Sequence, residues 1–419
     1  GGIVLLDKRG KELYAGPSLD LRAFLEGLTI DEEHGQEVYS ITGHLPSFFF
    51  TPAKLRWLQK SRPEAFNLAA TVLTLGEWIL YKLGGEVASD RSAAGEAGLL
   101  DIRKNCRNCS LFSLLGLPDN LFPPLGNSGD AVGSVTKEAA SHTGLREGTP
   151  VVIGGADTQC GLLGMGAIRQ AQVGILAGWS APVQMVTSRP ILDKASRTWT
   201  GCHLMPGRWI LESNTTEAGH ALQWLVEMMT GNACDESYSI AGQWAQATES
   251  YDDAVFAFLG PRVMDAKSLG VRLGGFLFPV PLTAGYIEKG QLIRAAYMNL
   301  AFAIKGNCRQ LEEVSGLKIR EVSLGGGLSR NSFFNQIVAD VLGIPIKVSK
   351  ISEVSALGCA LCAAAGSGAY ASLEEAVDAM GAPMEKLEPQ ELNHVRYQDT
   401  YQQWLSISRE LDKLTNQLK

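Results

Sequence analysis

The sequence predicts an α/β protein with mixed sheets, divided between two domains. Three observations lead there. Stretches of β alternation follow one another at Val173 to Ala177, Val183 to Val186 and Trp209 to Leu211, the pattern of an antiparallel meander. From Gln291 to about Ala365, helical and strand patterns alternate instead, so hairpin-type and crossover-type connections occur together. Finally, 419 residues, 45% of them hydrophobic and 19% charged, suffice for two separately packed cores.

Taken in chain order, Ile3 to Leu6 and Glu12 to Tyr14 flank the polar turn Asp7-Lys8-Arg9-Gly10 and read as a β-hairpin. Apolar spacing predicts helices over Pro52 to Gln59, Pro63 to Leu75 and Trp78 to Leu83, followed by Gly84-Gly85 and polar loops up to Pro124. Pro150 to Ile153 forms a short buried strand that runs into Gly154-Gly155. It is followed by an acid, Asp157, and by the small-residue stretch Cys160 to Ala167. The pattern turns to β alternation across Gly166 to Gln172, the expected domain junction. After the meander, Ala218, Leu222, Leu225, Val226 and Met229 share one face of a helix. Strand Val322 to Leu324 then enters Gly325-Gly326-Gly327, ahead of a helix over Asn331 to Leu342, a strand over Ile346 to Val348 and an Ala-rich helix over Glu353 to Ala365. Tyr397, Tyr401, Trp404, Leu405, Leu411, Leu414 and Leu418 keep helical spacing, as a closing helix packed on the second domain would.

A net charge of -7, from 37 basic and 44 acidic residues, provides no broad positive field for nucleic acid or an anionic membrane, so a small, locally bound ligand is expected. The best candidate for a membrane span, Val72 to Leu83, is broken by Gly76, Glu77 and Lys82, and no basic start followed by an apolar run marks a signal peptide. Eight scattered cysteines suggest reduced thiols and a cytoplasmic protein. Cys106/Cys109 and Cys359/Cys362 have the spacing of zinc ligands, but they lie far apart without a His-rich partner segment. The first pair is expected in a loop and the second among the core residues of the Ala-rich helix.

Three glycine-rich strand ends are the candidate phosphate-binding elements: Gly154-Gly155-Ala156-Asp157, Gly178-Trp179-Ser180 and Gly325-Gly326-Gly327-Leu328. Glycine lets backbone approach a ligand closely, and a following helix offers unpaired N–H groups to anions. None is a Walker A loop, and the third lacks the later glycine of a dinucleotide fingerprint, so neither a P-loop NTPase nor a Rossmann dehydrogenase is indicated. Asp157 is placed to accept a proton from an attacking hydroxyl; the competing use of an acid there is a helix N-cap.

Together these segments resemble the FGGY carbohydrate kinases, over Gly2 to about Ala369. Asp20-Leu21-Arg22 resembles the family's Asp-x-Arg, Phe49 to Leu58 its first signature, Gly155-Ala156-Asp157 its catalytic segment, Gly219 to Trp224 its glycine-to-tryptophan helix, and Gly326 to Gly343 its adenosine loop and helix. The resemblance implies two actin-like ATPase (ribonuclease H-like) domains with mixed sheets around a central cleft, residues 1–166 binding sugar and 167–419 binding ATP. It implies phosphoryl transfer from ATP, with Mg²⁺, to a small sugar, most simply a ketose such as a pentulose, and a homodimer as a common assembly. Carried over by position, Asp157 is the catalytic base and the neighbour of the metal. Thr158, Asp20, Arg22 and Phe49 fall at the sugar. Gly178, Ser180, Gly219, Gln223, Gly326, Gly327, Leu328 and Asn331 fall at the nucleotide.

Some positions depart from the family pattern. Trp179 stands where the second phosphate loop usually has Thr, Met298 where a later signature has an acid, and Phe49 where glycerol kinases have a substrate-binding Tyr. The chain opens Gly-Gly and runs at once into Ile3 to Leu6. It is therefore expected to begin within the fold, without the family's leading Asp-x-Gly-Thr and Gln-Met-His segments. A second reading follows from these departures, an impaired or truncated relative that binds sugar or nucleotide without turnover. A third, an actin-like structural or chaperone ATPase, is opposed by the segment Phe49 to Leu58.

Overall fold

In the computed structural model, residues 1–18, 20–248, 254–268, 270–280 and 287–417 are described. They gather into two compact units that each recruit separated stretches of chain. The first comprises Gly1–Gln170, Val186–Leu211 and Ser355–Gly381; the second comprises Ala171–Met185, Glu212–Val354 and Ala382–Lys419.

In the first unit the hairpin forms as expected, Ile3–Leu6 antiparallel to Glu12–Gly16. Asp7 closes its turn by accepting from the backbone N–H groups of Arg9 and Lys11 at 2.7 and 3.0 Å. The other edge of Ile3–Leu6 pairs antiparallel with Thr71–Thr74. All four residues of this central strand are buried, so both of its faces are covered, which accounts for its unbroken apolar run. This pairing corrects the helix expected over Pro63 to Leu75: the helix stops at Leu68, and Thr71-Val72-Leu73-Thr74 becomes a strand. Two β-branched threonines and a valine suit a pleated partner, and Val72 and Leu73 are buried there. Thr74 then caps the helix Leu75–Gly84 in a capping box with Glu77.

Also in the first unit, Pro150–Val152 pairs with Ala131–Ser134 and leads through Gly154-Gly155 into the helix Asp157–Gly164. The helix Val354–Gly366 crosses that helix in backbone contact. A side chain at Gly358 would put its Cβ 1.9 Å from the Cys160 carbonyl oxygen, so only glycine permits this approach. Cys160, Leu163, Leu361 and Cys362 share the core beneath it. Cys362 is buried as expected, whereas Cys359 is exposed. Cys109 opens the helix Cys109–Leu115 rather than lying in a loop, with Asn108 as its cap.

The largest sheet has seven strands, in the order Trp199–Cys202, Trp209–Glu217, Ser180–Thr187, Val173–Leu176, Val322–Gly325, Ile346–Ser349 and Met384–Leu387. Val322–Gly325 runs parallel to both neighbours, while Ser180–Thr187 and Met384–Leu387 are antiparallel to theirs. The sheet is therefore mixed. Its two outer strands were not anticipated; both are short edge strands, one carrying Gly201 and the other Glu385 and Lys386, which weakens any β pattern. In the second unit the helix Lys289–Ser315 is buried over most of its length. Against it lies the closing helix Glu391–Gln417, where Trp404 donates to Asn299 at 3.0 Å and Tyr397, Tyr401 and Trp404 are buried. Leu418 falls outside the described residues. No helix among the described residues is long and apolar enough to cross a membrane.

Candidate active site

In the first unit, Asp157 occupies the first position of its helix with its side chain exposed, and Ala156 takes the N-cap place. The N-cap use of this acid is therefore not what the structure shows: among the described residues, Asp157 Oδ1 accepts from the adjacent Thr158 N–H, at 2.8 Å. The loop before it is pinned from behind. Ser92 Oγ accepts from the Ala156 N–H at 2.9 Å and itself donates to Asp90, a buried carboxylate that also caps the helix Arg91–Glu96. At Gly155 a Cβ would meet the Leu204 side chain at 2.3 Å and Ser92 Oγ at 2.9 Å, so a larger residue here would displace the side chains that brace the loop.

A polar chain runs sideways from the same helix. Thr158 Oγ1 donates to Gln159 Oε1 at 2.8 Å, and Gln159 Nε2 donates to Glu96 Oε1 at 2.8 Å. Glu96 Oε2 lies 3.9 Å from His44 Nε2. Burial raises the Glu96 carboxyl to about 7, the Asp157 and Asp90 charges add to the rise, and the Gln159 hydrogen bond opposes it. Gln159 and His44 are buried, so this chain fixes the rotamer of Thr158 from behind.

Asp20 and Arg22 are brought together as a bidentate pair. Arg22 Nε and one terminal nitrogen donate to the two Asp20 oxygens at 2.7 Å each, which holds the Asp20 carboxyl below the ordinary carboxylate range. The guanidinium lies 4.5 Å from the Trp57 ring centre. Asp20 is buried and also caps a short 3₁₀ turn, Leu21–Ala23. Phe49 is half-buried and stacked on Phe48, with ring centres 4.1 Å apart.

In the second unit, the glycine segments converge on Ala177-Gly178-Trp179. Gly219 N–H donates to the Gly178 and Trp179 carbonyls at 3.0 Å each. A Cβ at Gly219 would lie 2.3 Å from the Gly178 oxygen. On the other side, the Leu328 N–H donates to the Ala177 carbonyl at 2.9 Å. Gly326, at φ 97° and ψ 178°, would bring a Cβ to 2.7 Å from the Ala177 oxygen. That conformation is in practice confined to glycine. Gly327 borders open space, while Ser180 begins the strand that leaves the turn. Gln223 lies exposed one turn into the helix Gly219–Thr230. Asn331 has structural partners: its Oδ1 caps the helix Ser332–Leu342 by accepting from Phe334 N–H at 3.0 Å, and its Nδ2 donates to Tyr297 at 3.0 Å. Trp179 is 54% exposed and stacks on His220, with ring centres 5.7 Å apart. Two helix N-termini thus open beside a knot of glycine backbone, an arrangement suited to phosphate oxygens.

Glu96, Gln159, Ala177 and the Asp90–Ser92 relay were not singled out in the sequence. The relay had a readable signal, an acid two residues ahead of a serine at the start of a short helix. Glu96 had none, because its partners are distant in the chain.

An actin-like two-domain fold, an exposed carboxylate just after a braced loop and a knot of glycine backbone suited to phosphate oxygens fit an ATP-dependent phosphotransferase. The chain matches the N-terminal domain model of the FGGY family of carbohydrate kinases over residues 1–164 and the C-terminal domain model over 174–367. It belongs to that family and is an ATP-dependent sugar kinase. It is 31% identical over 414 residues to the autoinducer-2 kinase of Yersinia enterocolitica, covering 96% of this chain and 77% of that protein. It is 30% identical over 421 residues to the autoinducer-2 kinase of Escherichia coli strain K12, with 97% and 78% covered. Among solved structures, xylulose kinase from Rhodospirillum rubrum superposes with a TM-score of 0.85 at 25% identity, over 99% of this chain and 83% of that one. Plasmodium falciparum glycerol kinase with ADP superposes at 0.82 and 17% identity, over 98% and 82%, a likeness of fold.

Proposed function

We propose that this kinase phosphorylates a hydroxyl of a small ketose, such as a pentulose, or autoinducer-2, the substrate in the name of its relatives, with Asp157 as the base. One observation carries the reading: Asp157 presents an exposed carboxylate on a loop that Ser92 and Asp90 hold from behind. A base held in this way can take the proton of the attacking hydroxyl as its oxygen bonds to the γ-phosphorus and the bond to ADP breaks. Thr158, oriented through Gln159 and Glu96, would hold the neighbouring sugar hydroxyl. The half-buried Phe49, offering no hydroxyl, supports a ketose over glycerol.

Gly178, Ser180, Gly219, Gly326, Gly327 and Leu328 would accept the nucleotide, with Gln223 at its rim and Asn331 supporting the loop as a cap. Asp20 and Arg22 would brace the sugar side through their ion pair. Magnesium is commonly held by one or two carboxylates together with substrate phosphates, and Asp157 fits that donor set. It would supply charge neutralisation on the transferring group. Eight free cysteines support a reducing, cytoplasmic setting.

A coupled ADP-release assay over xylulose, ribulose, other ketoses, glycerol and autoinducer-2 tests the reading. Ketose-dependent turnover that Asp157→Asn lowers about 10²–10⁴-fold is expected. Turnover with glycerol alone, or turnover unaffected by Asp157→Asn, would overturn it.

A further inference from the structure

The helix bearing Asp157 carries a second reactive group that phosphoryl transfer does not use. Cys160 Sγ lies 3.6 Å from Cys359 Sγ, on the crossing helix Val354–Gly366. The contact exists because Gly358 admits the two backbones to touching distance. A Cβ at Gly154 would lie 3.8 Å from Cys359 Sγ, so this thiol sits beside the loop before Asp157 as well as against the helix after it. The pair is asymmetric: Cys359 is exposed and Cys160 is buried.

We propose that Cys160 and Cys359 form a peroxide-sensitive dithiol whose closure to a disulfide ties the Asp157 helix to its neighbour and lowers kinase turnover. The exposed sulfur is the attacking one. Contact with the Cys160 thiol, which can donate to a thiolate, holds Cys359 below the ordinary cysteine value, and the same contact together with burial holds Cys160 above it. The Cys359 thiolate attacks one peroxide oxygen; the O–O bond breaks, and with one proton taken up the products are a sulfenic acid and water. The Cys160 sulfur then attacks the sulfenic sulfur, giving up its proton as the S–O bond breaks and a second water leaves. In sum two thiols are oxidised by two electrons and one hydrogen peroxide is reduced to two waters. The sulfurs must close by about 1.5 Å to reach bonding distance. That movement pulls on the helix that begins at Asp157, next to a loop pinned by Ser92, and displacements near 1 Å at a reacting group cost up to about 10²-fold in rate. The effect on turnover rests on the kinase reading above; the oxidation does not.

The test treats the protein with hydrogen peroxide, blocks remaining thiols with iodoacetamide and maps the peptides by mass spectrometry. Turnover is followed in parallel, before and after dithiothreitol. A Cys160–Cys359 crosslinked peptide, a loss of turnover of about ten-fold or more that dithiothreitol reverses, and resistance of Cys359→Ser to both changes are expected. Cys160→Ala, should it fold, stops at Cys359 sulfenic acid, which dimedone labels. Separate alkylation of Cys160 and Cys359 after peroxide, while Cys106, Cys109 or Cys234 oxidise, would overturn the proposal. A crosslink that leaves turnover intact overturns the control of activity. A crosslink in a protein with no sugar-dependent turnover even when reduced overturns the kinase reading and supports the dithiol.

Discussion

Replacing Glu96 by Gln should stabilise this protein above neutral pH and leave it almost unchanged in acid. The fold raises the Glu96 carboxyl from its ordinary 4.5 to about 7, chiefly by burial, with Asp157 and Asp90 adding negative charge nearby. His44 faces it at 3.9 Å. A carboxyl raised by folding contributes stability in its protonated form. That contribution is complete below about 4.5 and is lost as pH climbs through about 7, after which the fold holds an anion it disfavours. The full difference corresponds to about 3 kcal/mol. The Glu96 side chain is 30% exposed, and water there reduces the figure to about 1–2 kcal/mol. Glutamine keeps an oxygen to accept from Gln159 Nε2 and carries no charge. Thermal unfolding of both proteins at pH 4.5 and 8.5 measures the effect, expected as near coincidence in acid and a gain of about 2–4 °C for the variant in base. A variant equally shifted at both pH values, or less stable at pH 8.5, would refute the argument.

Further outcomes follow from the same geometry. Asp157→Asn should leave the melting temperature unchanged within about 1 °C, since the side chain is exposed and, among the described residues, bonds to its own helix, and should lower turnover about 10²–10⁴-fold without weakening nucleotide binding measured by calorimetry. Gly326→Ala forces an unfavourable φ and a backbone clash, costing about 2–4 kcal/mol, so ADP affinity should fall at least about ten-fold while sugar affinity measured without nucleotide holds. Trp179 fluorescence should change on adding ADP, and Trp179→Phe should remove that change while the other seven tryptophans still emit. Chelating magnesium with EDTA should stop turnover, and restoring the metal should return it.

The fold was largely legible because its signals are local. Glycines that end strands, the cap at Asn331 and the apolar face of Gly219–Thr230 announce themselves within a few residues. The strand Thr71–Thr74 was hidden because Pro63 to Leu75 is apolar at helical and strand spacings alike, and only pairing with Ile3–Leu6 decides between them. The exposed carboxylate of Asp157 was legible from its strand end and glycines. Glu96 was not, since its neighbours Gln159 and His44 come from positions 63 and 52 residues away in sequence, a relation that no motif encodes. The dithiol was hidden for the same reason: Cys160 and Cys359 lie 199 positions apart, and Cys359, assigned to the core on composition, is exposed.

The bonding of Gly219 to Gly178 and of Leu328 to Ala177 has a consequence for how variation is tolerated there. Three segments spread over some 150 positions of chain behave as one mechanical part, fastened to each other before any ligand arrives. A nucleotide bound there, as proposed, would meet a cradle already assembled, and little of its binding energy would be diverted into ordering loops. The same fastening makes substitutions in these segments interdependent. Once one has dislodged the knot, a second at another glycine has little left to disrupt, so paired variants should fall well short of the sum of their separate effects.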